Sequence, residues 1–366
     1  MVISSLNGSW PTGSMAAIAF TQPGVVGMLS VPIPAEEERS VLIRIDAIGI
    51  CGTDIELMKG TSPNVANGLT TYPIRFGHEW GGTVVAIGAR VATLAIGDRV
   101  VGEPFISCGH CQVCRGGHYN LCPHRDEVGV MGDVPGGAAQ YLRMPAANVH
   151  VVPDGVPTSD ALLAEPGVTV LNAFRAGRVQ PGEALAIIGT GTMGLLAVQI
   201  AASMDCEVDV VGSNTTGLNL AMALGARAAY RPDEAPTSSY SQVIEASGGR
   251  YVGPLLTSLA GIGGRIMLIG IPDGAVDRID LSNMVMKGLS IQGVLGGVDL
   301  MPRALSLIAK GVINPRLLID EVLPASEVNR AFERLLSSAR SRPKVMLDMA
   351  GFSSSTVLGS ATKSDG

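Results

Sequence analysis

Six residues between Gly49 and Glu79 could do chemistry together, and four more follow at once. Gly49-Ile50-Cys51-Gly52-Thr53-Asp54 comes first, then Phe76-Gly77-His78-Glu79-Trp80-Gly81-Gly82, then Cys108-x2-Cys111-x2-Cys114-x7-Cys122. Four thiols this close in sequence can converge on one tetrahedral ion and leave no ligand position open, the pattern of structural zinc. Cys51 and His78 are far enough apart that only a fold can bring them together. A thiolate and an imidazole suit zinc, and a site with few protein ligands keeps a position for substrate. In this order and spacing the residues predict one closed and one open zinc site, two ions per chain. Six cysteines could also form three disulfides, but the metal-ligand spacing and the lack of an export signal favour thiolate ligands in a reducing cytoplasm. Cys206 reads as an ordinary, partly buried thiol.

The elements that must position these groups are legible in outline. At 366 residues two domains are expected. Hydrophobic residues make up 46% and charged ones only 16%, which excludes general disorder. A net charge of −6 gives no footprint for nucleic acid, and no apolar run approaches the roughly 20 residues of a membrane helix. From Met15 to about Val152 short strands alternate with glycine-rich turns, among them 41–45, 82–88 and 97–101. This is an all-β, barrel-like domain with the metal ligands on its loops. From about Glu165 strands at 183–189, 207–212, 241–247 and 264–270 alternate with helices, which implies right-handed crossovers and a parallel sheet. The expected division is a catalytic domain of residues 15–165 plus 305–352 and a nucleotide-binding domain of residues 166–304. Residues 1–14 and 353–366 are expected to be disordered tails.

Gly189-Thr190-Gly191-Thr192-Met193-Gly194 follows a strand and opens a helix, the context a dinucleotide loop requires. Gly189 permits the turn, Gly191 lets the backbone approach a pyrophosphate, and Gly194 allows close helix packing. The helix start offers free N–H groups and a positive dipole end. At the end of the next strand an acidic side chain would bind the ribose diol of NAD. The chain has Gly212-Ser213-Asn214 there instead, and Asp209 stands too early in the strand. Nothing repels a 2′-phosphate, and Arg227 or Arg231 could reach one. The reading therefore favours NADP, with NAD as the alternative.

With these motifs in this order, the chain from about Met15 to Met349 resembles the zinc-dependent medium-chain dehydrogenases, which include alcohol, sorbitol and threonine dehydrogenases. The resemblance implies a GroES-like β-barrel catalytic domain beside a Rossmann domain. It makes Cys51 and His78 ligands of catalytic zinc and assigns Cys108, Cys111, Cys114 and Cys122 to structural zinc. By it Asp54 hydrogen-bonds the free nitrogen of His78, and Thr53 relays the proton leaving the substrate alcohol. Two departures stand out. The alcohol dehydrogenases use a third cysteine, whereas the matching segment here is Leu163-Ala164-Glu165-Pro166, similar to the sorbitol and polyol branch. Glu165 is then a candidate ligand, direct or through water, and Glu79 competes with it. Glu56 stands where many relatives carry a proton-relay histidine, and a glutamate there resembles the related glucose dehydrogenases; it could pass a proton to solvent or bind the cofactor ribose. Lys344 matches a basic residue that relatives place on the cofactor phosphates, with a solvated lysine as the alternative. Glu103 could be a pocket or a turn residue.

The expected reaction is reversible oxidation of a secondary alcohol in a polyol, cyclitol or sugar by NAD(P). An L-threonine 3-dehydrogenase-like or aldose dehydrogenase activity is the alternative within enzymes. A noncatalytic nucleotide-binding relative and a nucleic-acid-binding zinc module are the readings from other classes. The retained Cys51, His78 and Glu165 argue against the first, and the missing basic patch against the second. The family resemblance also implies a homo-oligomer, dimer or tetramer, paired through an edge strand at Leu289–Leu295.

Overall fold

The computed structural model describes residues 10–132, 134–250, 252–272, 274, 276 and 278–353. Contacts divide the chain into two compact units. The first holds residues up to Glu165, then Glu321–Ser338 and the segment from Lys344 onward; the second holds Pro166–Asp320 and Ala339–Pro343. The tails expected at 1–9 and 354–366 lie outside the described residues. Residues 10–14, also expected to be tail, are instead tied down. Trp10 Nε1 donates to the Pro34 carbonyl at 2.7 Å, Ile33 N donates to Gly13 O at 2.9 Å, and Ser14 opens the first strand.

In the first unit β1 (Ser14–Gln22) and β2 (Val25–Pro32) form an antiparallel hairpin. The main sheet has seven strands. Its centre is β3 (Ser40–Ile50), paired antiparallel with β4 (Glu79–Ile87); β4 continues to β5 (Arg99–Gly102). A short hairpin, β6 (Phe105–Ile106) with β7 (Asp126–Glu127), brackets the cysteine lobe. β8 (Tyr141–Pro145) pairs with β3, and β9 (Val149–Val151) with β5. The apolar residues of these strands, including Val41, Ile43, Ile48 and Val84, are fully buried in one core. The late segment belongs to that core. Phe332, from the Val328–Leu336 helix, meets Phe20 and Phe76 edge-on at 5.5 and 5.4 Å, and those two stack at 4.7 Å. Each such ring buries enough apolar surface to contribute roughly 1.5–3 kcal/mol.

The second unit is a six-stranded sheet built from parallel pairs. Its strands are β10 (Ala184–Ile188), β11 (Glu207–Val211), β12 (Ala228–Tyr230), β13 (Tyr240–Glu245), β14 (Ala260–Leu268) and β15 (Ser290–Gly293). The order β12-β11-β10-β13-β14-β15 is that of the dinucleotide-binding fold, with its switch between β10 and β13. The central strand β10 is almost wholly buried and reads as a continuous apolar run rather than an alternating one. The return to the first unit comes later than the sequence suggests. It was expected at residue 305, but residues 305–320 stay with the second unit. Asn314 N donates to Gln199 Oε1 at 2.7 Å, and Ala304 and Ile313 pack against Gly167. These buried contacts outweigh the chain's freedom to leave earlier. Among the described residues no helix is long and apolar enough to cross a membrane. The chain continues through β16 (Ile319–Pro324) to β17 (Lys344–Asp348), which joins β3 antiparallel.

Candidate active site

Strand β3 ends at Ile50, and Cys51 caps the helix Gly52–Lys59 that follows. Asp54, in the first turn of that helix, accepts from the Cys51 backbone N–H at 2.8 Å. Its carboxylate thus satisfies a free N–H at a helix N-terminus. The other oxygen, Oδ1, lies 3.6 Å from His78 Nδ1. Both atoms are buried without a hydrogen-bond partner. The expected Asp54–His78 pairing is therefore present in orientation, at a distance slightly beyond a hydrogen bond. Thr53 and Glu56 sit three apart on the same helix, hence on neighbouring positions of one face.

His78 and Glu79 lead into β4, which the β3 register carries alongside Gly49. A Cβ on Gly49 would fall 2.2 Å from Glu79 Oε2, so only glycine lets the carboxylate lie against the strand. The ligand atoms of Cys51, His78 and Glu79 all lie within 4.8 Å of one another. Burial acts to lower the His78 pKa, but Asp54 and Cys51 outweigh it and hold it well above the usual histidine value. The pocket favours positive charge at that ring. A dication bound through the nitrogen that does not face Asp54 meets the same demand, so the residues fit zinc.

Lys344 departs from both expectations. It is only 2% exposed, and its Nζ donates to both Glu79 oxygens, at 2.7 and 2.8 Å, and to Ile50 O at 3.3 Å. It is neither solvated nor placed for cofactor phosphates. Burial works to lower its ammonium, yet Glu79 and Cys51 raise it above the ordinary lysine value. Glu165, in the first turn of the Ala164–Gly177 helix, lies within electrostatic reach of His78, Glu79 and Lys344 without joining the 4.8 Å set. Burial raises it to about 7; His78 opposes the shift, and Glu79 and Glu127 add to it.

Glu127 was missed by sequence reasoning. It sits in β7 opposite Phe105, within electrostatic reach of His78, Arg125 and Asp54, and burial raises its pKa. Its carboxylate has no hydrogen-bond partner in the described structure. Five residues after the last lobe cysteine, it carried no motif; only the folded hairpin brings it within electrostatic reach of His78.

The cysteine lobe closes on itself. Cys108 and Cys114 sulfurs are 3.9 Å apart, as are those of Cys111 and Cys122, and Cys122 lies 3.5 Å from Cys108. A tetrahedron with Zn–S of about 2.3 Å has edges of about 3.8 Å, whereas a disulfide would need about 2.05 Å. Backbone N–H groups of His110 and Cys111 push Cys108 down to about 6, while burial with Cys111 and Cys122 raises Cys114 to about 11. Four adjacent thiols cannot all ionise without a cation among them. His110 and His118 are exposed. Buried Glu103 proves a tie for the lobe, accepting from Tyr119 OH at 3.1 Å and lying 3.1 Å from His150 Nε2.

In the second unit Gly189 turns with φ of 110° at the end of β10, and Gly191 caps the helix Thr192–Ala202, where Met193 follows. A Cβ on Gly194 would lie 2.1 Å from Gly189 O, whereas one on Gly191 would meet nothing within 4 Å. The loop is tight beneath and open above, a fit for a pyrophosphate. Gly212 N donates to Tyr230 O at 3.0 Å, and Ser213 and Asn214 are exposed beyond it. Asn214 Oδ1 caps the next helix by accepting from Thr216 N at 2.9 Å, which leaves its amide NH2 for a ligand. Arg227 does not reach this corner. Its guanidinium holds Asp209 at 2.9 and 2.6 Å, and Tyr240 OH adds a third bond at 2.8 Å. Arg231, next to Tyr230, is exposed at that end of the sheet.

A barrel unit with one closed and one open metal-binding set, joined to a dinucleotide-binding sheet, defines a zinc-type dehydrogenase. Residues 37–154 match the alcohol dehydrogenase GroES-like domain, and residues 192–310 the zinc-binding dehydrogenase domain. The chain is 33% identical to L-threonine 3-dehydrogenase of Proteus mirabilis, over 89% of this chain and 97% of that one. It is 28% identical to sorbitol dehydrogenase of Bacillus subtilis, over 87% and 92%. It also superimposes on the crystal structure of a zinc-binding dehydrogenase from Sinorhizobium meliloti bound to NADP, with TM-score 0.83 and 28% identity over 92% and 99% of the two chains. The chain belongs to the zinc-binding alcohol dehydrogenase family, and is a zinc-dependent oxidoreductase acting on CH–OH groups with a nicotinamide dinucleotide.

Proposed function

We propose that the protein oxidises a secondary hydroxyl of a small polyhydroxylated molecule, a polyol, cyclitol or sugar, with NADP+ as the favoured acceptor. The observation that carries this reading is Glu127, a carboxylate within electrostatic reach of His78 and Asp54 that makes no side-chain hydrogen bond among the described residues. It can accept a hydrogen bond from a second substrate hydroxyl, which a simple alcohol lacks. Zinc bound there would supply Lewis-acid polarisation of the reacting hydroxyl, and the dinucleotide would accept the hydride. Cys51 and His78 would hold the metal, and Asp54 would keep the imidazole oriented. Glu165 is our choice for the third protein ligand, because both Glu79 oxygens are engaged by Lys344. Thr53 would take the proton leaving the hydroxyl, and Glu56, one turn further along the helix, would pass it onward or bind the ribose. Cys108, Cys111, Cys114 and Cys122 would hold a second, structural zinc.

Activity with NAD+ and NADP+ against polyols, cyclitols, sugars and L-threonine tests the reading. Glu127→Gln keeps the shape and removes the charge. It is expected to raise the KM of a polyol about tenfold, with kcat changed no more than about threefold, because a hydrogen bond to a charged group is worth about 1.5–3 kcal/mol. An unchanged KM refutes the role. The relative from Proteus mirabilis favours a second reading, in which Glu127 meets the ammonium of L-threonine; turnover of threonine alone would establish it.

The NADP preference rests on Gly212, Ser213 and Asn214, with Arg231 beside them and Asp209 buried elsewhere. Ser213→Asp should lower kcat/KM for NADP+ by about ten- to a hundredfold, since juxtaposed like charges cost several kcal/mol, and leave NAD+ nearly unchanged. Equal losses for both dinucleotides would remove Ser213 from the 2′-phosphate site. We also infer a homo-oligomer paired through β15, the sheet's edge strand, near which Val285 and Met286 are more than 80% exposed.

A further inference from the structure

The first unit carries a depression of about 380 Å3 apart from the residues assigned above. One wall is residues 68–75, which run into Phe76-Gly77-His78; the other includes residues 129–132, just beyond Glu127. Among the described lining residues Arg75 carries the only formal charge. Its Nε donates to Gly136 O at 2.8 Å. Its Nη2 is buried with no hydrogen-bond partner, and no carboxylate of the described residues lies within 4.0 Å to pair with it. Burial pushes the guanidinium down to about 10. Arg75 is partly exposed, and a cation partly withdrawn from water with no counter-charge among the described residues favours an anion that can reach it. The planar fork of arginine suits a carboxylate or phosphate, and Thr70 and Thr71 line the same wall.

We propose that this depression is an oxyanion subsite in which Arg75 binds a phosphate or carboxylate group. The anion could be free, or it could be the charged end of the substrate. Arg75 precedes His78 by three residues, so their Cα atoms are at most about 11 Å apart, a span that a phosphorylated polyol can cover. The subsite stands on Arg75 and the cavity, independently of the substrate class proposed above.

Calorimetric titration of the zinc-loaded protein with inorganic phosphate tests it. Saturable binding is expected in the wild type and should weaken at least tenfold in Arg75→Leu. Thr71→Glu guards against a folding artefact: it leaves Arg75 and its Gly136 bond in place but adds a carboxylate to the lining that Arg75 shares, and it should weaken phosphate equally. A second arm compares a neutral substrate with its phosphate monoester. A lower KM for the ester that disappears in Thr71→Glu assigns the subsite to the substrate. Phosphate that binds without competing with substrate assigns it to a free anion. Absence of saturable phosphate binding, or equal binding in all three proteins, overturns the proposal.

Discussion

Cys51→Ser is expected to lower turnover by at least about a thousandfold and metal content from two zinc ions per chain to one, with the fold retained. Metal polarisation of the reacting oxygen contributes several kcal/mol, and about 4 kcal/mol corresponds to three decades in rate. Serine cannot replace the thiolate at neutral pH, and His78 with a carboxylate makes a weaker set. The cysteine lobe keeps its four sulfurs within 4.8 Å and should keep its ion. Turnover and elemental analysis of the same preparation check the result. Full activity with two ions bound would show that Cys51 is no ligand.

Lys344→Met should have the largest effect on stability. Glu79 is fully buried, and Lys344 supplies the counter-charge to both of its oxygens at 2.7 and 2.8 Å. Removing one partner of a buried ion pair costs about 3–5 kcal/mol, because the other charge is left uncompensated. A shift of the unfolding midpoint on the order of 10 °C follows for a domain of this size. The double variant Lys344→Met/Glu79→Gln should recover most of the loss, since it leaves no buried charge unpaired. A zinc ion could take over the freed carboxylate, so the loss should be greater in zinc-depleted than in zinc-loaded protein. Thermal unfolding of all four combinations, with and without chelator, measures both effects. An unchanged midpoint in both metal states would mean that the pair carries no such coupling.

Lys344 also marks where the reading of the sequence ended. Its neighbours Pro343 and Val345 say nothing about Glu79, which stands 265 positions earlier. A solvated lysine and a phosphate-binding one were the readings available, and burial against β3 decided otherwise. The delayed return of the chain after Asp320 was hidden for the same reason, because the contacts at Gly167 and Gln199 come from distant segments.

The sequence by itself determined four of the six strands of the nucleotide unit, β10, β11, β13 and β14, with the turn at Gly189 and the four-thiol lobe. Each is local: hydrophobic period, backbone sterics and ligand spacing act within about twenty residues. Tertiary structure alone decided how the charges at the open site are matched. Register across β3 and β4 placed Glu79 on Gly49, β17 brought Lys344 to it, and the β6–β7 hairpin brought Glu127 within electrostatic reach of His78. Electrostatic partners are chosen by distance in space, and burial makes their pairing matter most, so sequence order carries no record of them.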